Sequence, residues 1–313
     1  MNPTHVHLLL NHFPTIGFAI GLVLFVMALL LGKTGLRRIC LVIFFLTAAV
    51  TIATYVSGND AREKLKETPE VSDPLMQVHE SAALLAFVFM QVTGFLSWIG
   101  LWIGERPSRF ARWNVRLVLI FAVFAFVLMS RAAYMGGAIR HPETGAAETI
   151  PVDPSVPTLP RAWGLFVQDH SWVWPACETL HFVGLSLLFG VVLILNLRLL
   201  GIGKSMLSAA ALSQLLPLGM LGFSMNLVTG MMFFVASWDV NHYATNVAFQ
   251  WKVGLMLLAG INLLYFTVFD EPWLLGPKDN APFTAKVVAA TAMVIVLGVI
   301  FCGRMLPFLG NSF

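Results

Sequence analysis

The sequence predicts an all-α integral membrane protein, with about eight transmembrane helices arranged as two four-helix bundles and both termini on the periplasmic side. Three observations carry this. The chain of 313 residues is 58% hydrophobic and only 11% charged, too apolar to cover a water-facing surface. Eight apolar runs, each near the ~20 residues that a bilayer-crossing helix needs, alternate with polar connections. Lys and Arg gather in every second connection, which is the pattern of cytoplasmic loops.

The runs are residues 8–31, 39–56, 81–103, 117–135, 173–195, 212–234, 247–269 and 287–301. Residues 1–10 lack the basic region that precedes a signal-peptide core, so the first run is expected to remain in the fold. Lys33, Arg37, Arg38, Arg106, Arg109, Arg112, Arg116, Arg198, Lys204, Lys278 and Lys286 fall on one side of the eight runs, expected to be cytoplasmic. The opposite connections hold Asp60, Glu63, Glu67, Glu70, Asp73, Glu143, Glu148, Asp153, Asp169 and Asp239. The longest connection, residues 136–172, carries Pro142, Pro151, Pro154, Pro157 and Pro160 and reads as a domain boundary. The expected organisation is a membrane domain over 1–145, a periplasmic Pro-rich connection over 146–172 and a second membrane domain over 173–313. His12-Phe13 followed by Gly21 and Gly32 is echoed by His181-Phe182 followed by Gly190 and Gly201, which suggests an internal duplication.

Several chemistries are excluded or disfavoured. Cys40, Cys177 and Cys302 sit in no C-x-x-C or C-x-x-C-H spacing, which excludes a covalently attached c-type haem and argues against a thiolate cluster. No basic run interleaves with aromatics, so nucleic-acid binding has no basis. Trp98, Trp102, Trp113, Trp172, Trp174, Trp238, Trp251 and Trp273 lie near expected membrane boundaries and read as an aromatic belt.

The histidines carry the functional signal. His5, His7, His12, His79, His141, His170, His181 and His242 all fall at the outer ends of the runs and none in an inner connection, although the inner headgroup region would suit imidazole equally well. Imidazole is the usual axial ligand of b-type haem, and a four-helix bundle can place histidines on either side of a porphyrin. His12 and His79 begin alternate helices at similar depth and are the first pair expected. His7 and His12 are five residues apart, about 140° around a helix, so they cannot hold one face of one iron; His7 is expected to pair with His141. In the second half Glu178 and His181 share a helix face at i, i+3, though a lone Glu-x-x-His lacks the companion motifs of a di-iron bundle. Arg131 and Lys252 lie inside apolar runs, where an ionisable group is costly unless it faces a polar site or snorkels. Either is expected to pair with a haem propionate, with Glu80 or with Glu178. Glu178 is the candidate for proton exchange with a quinol, with Lys252 holding a propionate or head-group oxygen.

Four segments in the first half form an ordered set: His7-Leu-Leu-Leu-Asn-His12-Phe13-Pro14, Gly58-Asn59-Asp60, His79-Glu80 and Gly136-Gly137-Ala-Ile-Arg140-His141. Over about 145 residues this set resembles the four-helix bacterial membrane family called domain of unknown function 2231, with Leu8 where that family usually has Pro. The resemblance implies a four-helix membrane domain in a bacterial inner membrane, and it points to haem at His7, His12, His79 and His141, with Arg140 in the closing motif. The second half, with Glu178-Thr-Leu-His181-Phe-Val-Gly-Leu, Asn196-Leu-Arg198-Leu-Leu-Gly201 and Phe249-Gln-Trp-Lys252, is similar to another uncharacterised bacterial membrane family.

Together these readings lead to one expectation: a b-type cytochrome-like subunit, holding one to three haems at His7, His12, His79, His141 and His181. It would carry electrons between membrane quinone and a periplasmic c-type cytochrome or redox-enzyme subunit. Acidic outer loops would favour a basic partner. Two other classes compete: a transporter or channel lined by Arg131, Lys252 and Glu178, and a structural anchor whose histidines hold copper or zinc.

Overall fold

The computed structural model describes residues 3–66, 73–104, 108–151, 157–236, 243, 246–269, 271–306 and 308–309, and every regular element among them is helical. His242, Arg106, Glu67, Glu70, Asp153, Asp239 and Trp238, all used above, lie outside them. Among the described residues, eight helical spans are long and apolar enough to cross a membrane. The chain divides into two compact units, residues 1–163 and 164–313.

In the first unit, α1 (Pro3–Leu10) continues through a π-helical turn (Phe13–Gly17) into α2 (Phe18–Leu30). Pro14 causes the turn, because it has no N–H to donate to Leu10 O. That carbonyl instead meets the Thr54 hydroxyl, 3.4 Å away on α3 (Thr34–Lys66), while Thr15 Oγ1 donates to Asn11 O at 2.8 Å. α4 (Asp73–Ile103) and α5 (Arg109–Arg140) follow, and α2 touches α5 to close a four-helix bundle. Close approach is bought with small residues: a Cβ on Gly94 of α4 would stand 2.4 Å from the Ala48 Cβ of α3. The bundle interior holds Phe18, Phe25 and Phe44 in ring contact, with Met90, Thr93 and Ser97 fully buried.

The long connection is more ordered than its proline content predicts. It contains 3₁₀ turns at Pro142–Thr144 and Ala146–Thr149 and an 11-residue helix, α6 (Leu159–Asp169), and the division between units falls inside that helix.

The second unit contains α7 (Val173–Leu199), a short α8 (Ala209–Leu212) that leads into α9 (Leu216–Ala236), then α10 (Val247–Val268) and α11 (Phe283–Met305). α7 and α9 cross where Gly184 faces Gly222: a Cβ on Gly222 would stand 2.6 Å from Gly184 O. α10 pairs with α11, and α11 also packs on α7. At one end Arg198 is 2% exposed and donates to three carbonyls, Leu207 O at 2.6 Å, Gly276 O at 2.8 Å and Asp279 O at 3.4 Å. The sequence counts Arg198 as a loop cation; it is a buried clamp that holds the 200–208 and 274–281 segments together. Trp98 likewise departs from the belt, being 4% exposed between Phe45 and Phe95. Of the echoed glycines, Gly32 and Gly201 both end helices with positive φ, but Gly21 packs on Phe44 while nothing lies within 4 Å of a Cβ on Gly190.

Candidate bis-imidazole site

His7 on α1 and His79 on α4 occupy matching positions. The His7 Nδ1 lies 3.0 Å from Thr54 O on α3, and the His79 Nδ1 lies 3.0 Å from Ala132 O on α5. A carbonyl oxygen only accepts, so each Nδ1 carries the proton and each Nε2 keeps its lone pair. Four residues beyond each carbonyl is a glycine against which the ring lies. A Cβ on Gly58 would stand 2.9 Å from His7 Cε1, and one on Gly136 would stand 3.2 Å from His79 Cε1. Four residues further on, one helical turn along the same stripe, is an arginine in each case: Arg62 and Arg140. Both imidazoles are half-buried.

Arg62 forms a short ion pair with Glu80, joining α3 to α4 beside His79, and its buried Nε has no hydrogen-bond partner. Glu80 is therefore paired with Arg62 and not with Arg131. Arg131 is exposed and lines a cleft of about 350 Å³ with Gln77, Ser81 and Thr158. Arg140 is exposed at the end of α5.

Of the expected pairs His12–His79 and His7–His141, one member of each, His12 and His141, is exposed. His12 is exposed, with Nδ1 2.8 Å from Leu8 O of its own helix, because the five-residue step that brings His7 to α3 turns His12 away. His141 is also exposed, and its Nδ1 lies 2.9 Å from Glu143 Oε1. The Glu143 carboxyl is held below the usual carboxylate range, first by its own backbone N–H and then by His141. His170 is exposed, with Nδ1 2.9 Å from Phe166 O and its ring stacked on Phe166.

In the second unit His181 on α7 lies 2.8 Å from Thr229 Oγ1 on α9 and makes an edge contact with Phe233. Lys252 on α10 is half-buried, with Nζ 3.6 Å from where a Cβ on Gly303 of α11 would stand. Glu178 does not join them: it is exposed and forms no ion pair with Lys252. The described residues contain no cluster of three or more His, Cys, Asp or Glu side chains arranged around a common point.

Sequence reasoning missed Arg62, Gly58 as a ring-packing position and Thr54. The spacing that could have found them is the repeat Thr54-x3-Gly58-x3-Arg62 against Ala132-x3-Gly136-x3-Arg140.

Fold and site together define a helical protein of eight membrane-length spans, with two tautomer-fixed imidazoles inside its first bundle. No protein-family model, curated protein or solved structure matches the chain.

Proposed function

We propose that the first unit binds one b-type haem between His7 and His79, and that the protein is the electron-transfer subunit of a quinone-linked oxidoreductase in a bacterial inner membrane. The observation that carries this reading is the mirrored pair. Two neutral imidazoles on α1 and α4 have Nδ1 tied to a backbone carbonyl, which is how haem and metal ligands are oriented and made more basic. Simple helix packing accounts for one such histidine; it gives no reason for the same carbonyl, glycine and arginine at the same intervals on two hairpins. Arg62 and Arg140, one turn beyond the two glycines, would be the groups that offset the charge of the propionates.

Bound haem supplies one-electron chemistry. His7 and His79 would hold the iron through their imidazole nitrogens, and Arg62 and Arg140 would offset the propionate charge. Basic residues in alternate connections put both termini, residues 136–172 and the histidine ends on the periplasmic side, within reach of a periplasmic c-type cytochrome or a redox-enzyme subunit. A channel or transporter is the weaker reading, since Glu178 is exposed and Lys252 turns towards α11.

Purified protein in liposomes tests this function. A reduced short-chain quinol should reduce the haem, and external cytochrome c should reoxidise it. A haem that quinol leaves oxidised, or a protein that purifies colourless, overturns the reading.

A further inference from the structure

We infer that the basic end of the first bundle binds the head group of an acidic phospholipid that carries two phosphates, a site that stands independently of any haem. A cavity of about 500 Å³ opens there between the starts of α3 and α5 and the end of α4. Four guanidinium groups line it, those of Arg37 and Arg38 from α3 and of Arg112 and Arg116 from α5. No Asp or Glu lies among its described lining residues, and Arg37, Arg112 and Arg116 form no ion pair among the described residues. Both helices begin here without an acidic residue in the first turn, although the free N–H groups of a helix start favour negative charge. An excess of Lys and Arg accounts for the side of a membrane on which a connection lies. It does not require the arginines of two separate connections to converge on one cavity.

The lining selects a lipid over a soluble anion. Leu41, Leu101 and Asn114 are buried and form the floor, whereas Arg112 and Arg116 are exposed at the rim. Asn114 Nδ2 donates to Leu96 O at 2.9 Å, and a Cβ on Gly100 would stand 2.6 Å from Asn114 Oδ1 and 3.1 Å from Leu41 Cδ1, so α3, α4 and α5 close on one another at the floor. A largely apolar floor under a cationic rim suits an amphiphile: guanidinium forks match phosphate oxygens two at a time, and the leucines take the glycerol and the first carbons of the chains. Trp102 and Trp113 are exposed, as rings at head-group depth are, and Arg116 lies over the Trp113 ring, 5.5 Å from its centroid. One phosphodiester brings a single negative charge to this set. Two phosphodiesters joined by a glycerol, as in a cardiolipin, offer one phosphate to the α3 arginines and one to the α5 arginines, and basic pockets between membrane helices hold that lipid class.

Native mass spectrometry of the delipidated full-length protein tests this, with tetraoleoyl cardiolipin, dioleoyl phosphatidylglycerol, dioleoyl phosphatidylcholine and inorganic pyrophosphate as separate titrants. Cardiolipin should bind more tightly than phosphatidylglycerol, phosphatidylcholine should bind least, and equimolar pyrophosphate should not displace the cardiolipin. Arg112→Gln combined with Arg116→Gln should weaken cardiolipin binding about 25-fold, about fivefold for each cation at a lipid surface. Lys33→Gln combined with Arg109→Gln is the control, because both residues are exposed at the same end and neither lines the cavity; its affinity should equal that of the unsubstituted protein. Hydrogen exchange on the unsubstituted protein needs no variant to fold: cardiolipin should slow exchange in residues 34–41 and 108–116. An equal loss in the control pair, equal affinity for phosphatidylglycerol, displacement by pyrophosphate, or no slowing in those two segments would each overturn the assignment.

Discussion

Substituting Gly58 by Ala perturbs the proposed haem site without touching either of the histidines proposed as ligands. The new Cβ would stand 2.9 Å from His7 Cε1 and 3.1 Å from Nδ1, where ordinary contact begins at 3.4 Å. The ring must retreat from α3 by 3.4 − 2.9, about 0.5 Å, and its 3.0 Å bond to Thr54 O lengthens to about 3.5 Å, outside useful hydrogen-bond range. The lost bond is worth about 1 kcal/mol, and loss of an outer-shell partner typically costs 10–100-fold in metal affinity. Gly136→Ala is the graded companion: its Cβ would stand 3.2 Å from His79 Cε1, so the ring moves by only about 0.2 Å and affinity should fall by less than about tenfold. Gly137→Ala is the control, because nothing lies within 4 Å of its Cβ. Haem titrated into the haem-depleted proteins, followed at the Soret band, should rank the affinities as native and Gly137→Ala, then Gly136→Ala, then Gly58→Ala. Native affinity in Gly58→Ala, or an equal loss in Gly137→Ala, would refute the reasoning.

Three further expectations concern the scaffold. Arg198→Met strands three carbonyls and should cost about 3 kcal/mol, seen as a lower thermal midpoint in nanodiscs; Arg198→Lys should be intermediate, because it keeps the charge but not the fork. Gly94→Ala should destabilise by about 1–3 kcal/mol through overpacking on Ala48, and adding Ala48→Gly should restore most of the loss; no rescue would mean the two helices are not in the contact described. Glu143, outside the spans, should stay ionised as pH falls through the ordinary Glu range and lose its contact with His141 only below it, since its lowered pKa favours the charged form; a titration of the Glu143 carboxyl by NMR at the ordinary value would contradict this.

The eight spans were legible because hydropathy over about 20 residues needs no tertiary information. Their ends were not: α4 begins at Asp73 instead of near residue 81, because Gln77, His79 and Glu80 are polar yet helical. α6 was hidden among prolines, since 11 residues with one apolar side give no span signal. His7 and His79 were both in the sequence-derived set, but their pairing depends on which way each ring turns and on glycines 51 and 57 residues away, Gly58 and Gly136. Glu178 and His181 part company because i, i+3 fixes a face only to within about 60°, enough to separate an exposed carboxylate from a half-buried imidazole.

The central claim, one haem between His7 and His79, is tested most directly by the reduced-minus-oxidised spectrum of the purified protein and of four single variants. Native protein should show low-spin b-type bands. His7→Ala and His79→Ala should each abolish or convert them to high spin, while His12→Ala and His141→Ala should leave them in place. A colourless native protein, or a signal lost in His12→Ala and kept in His7→Ala, would contradict the account.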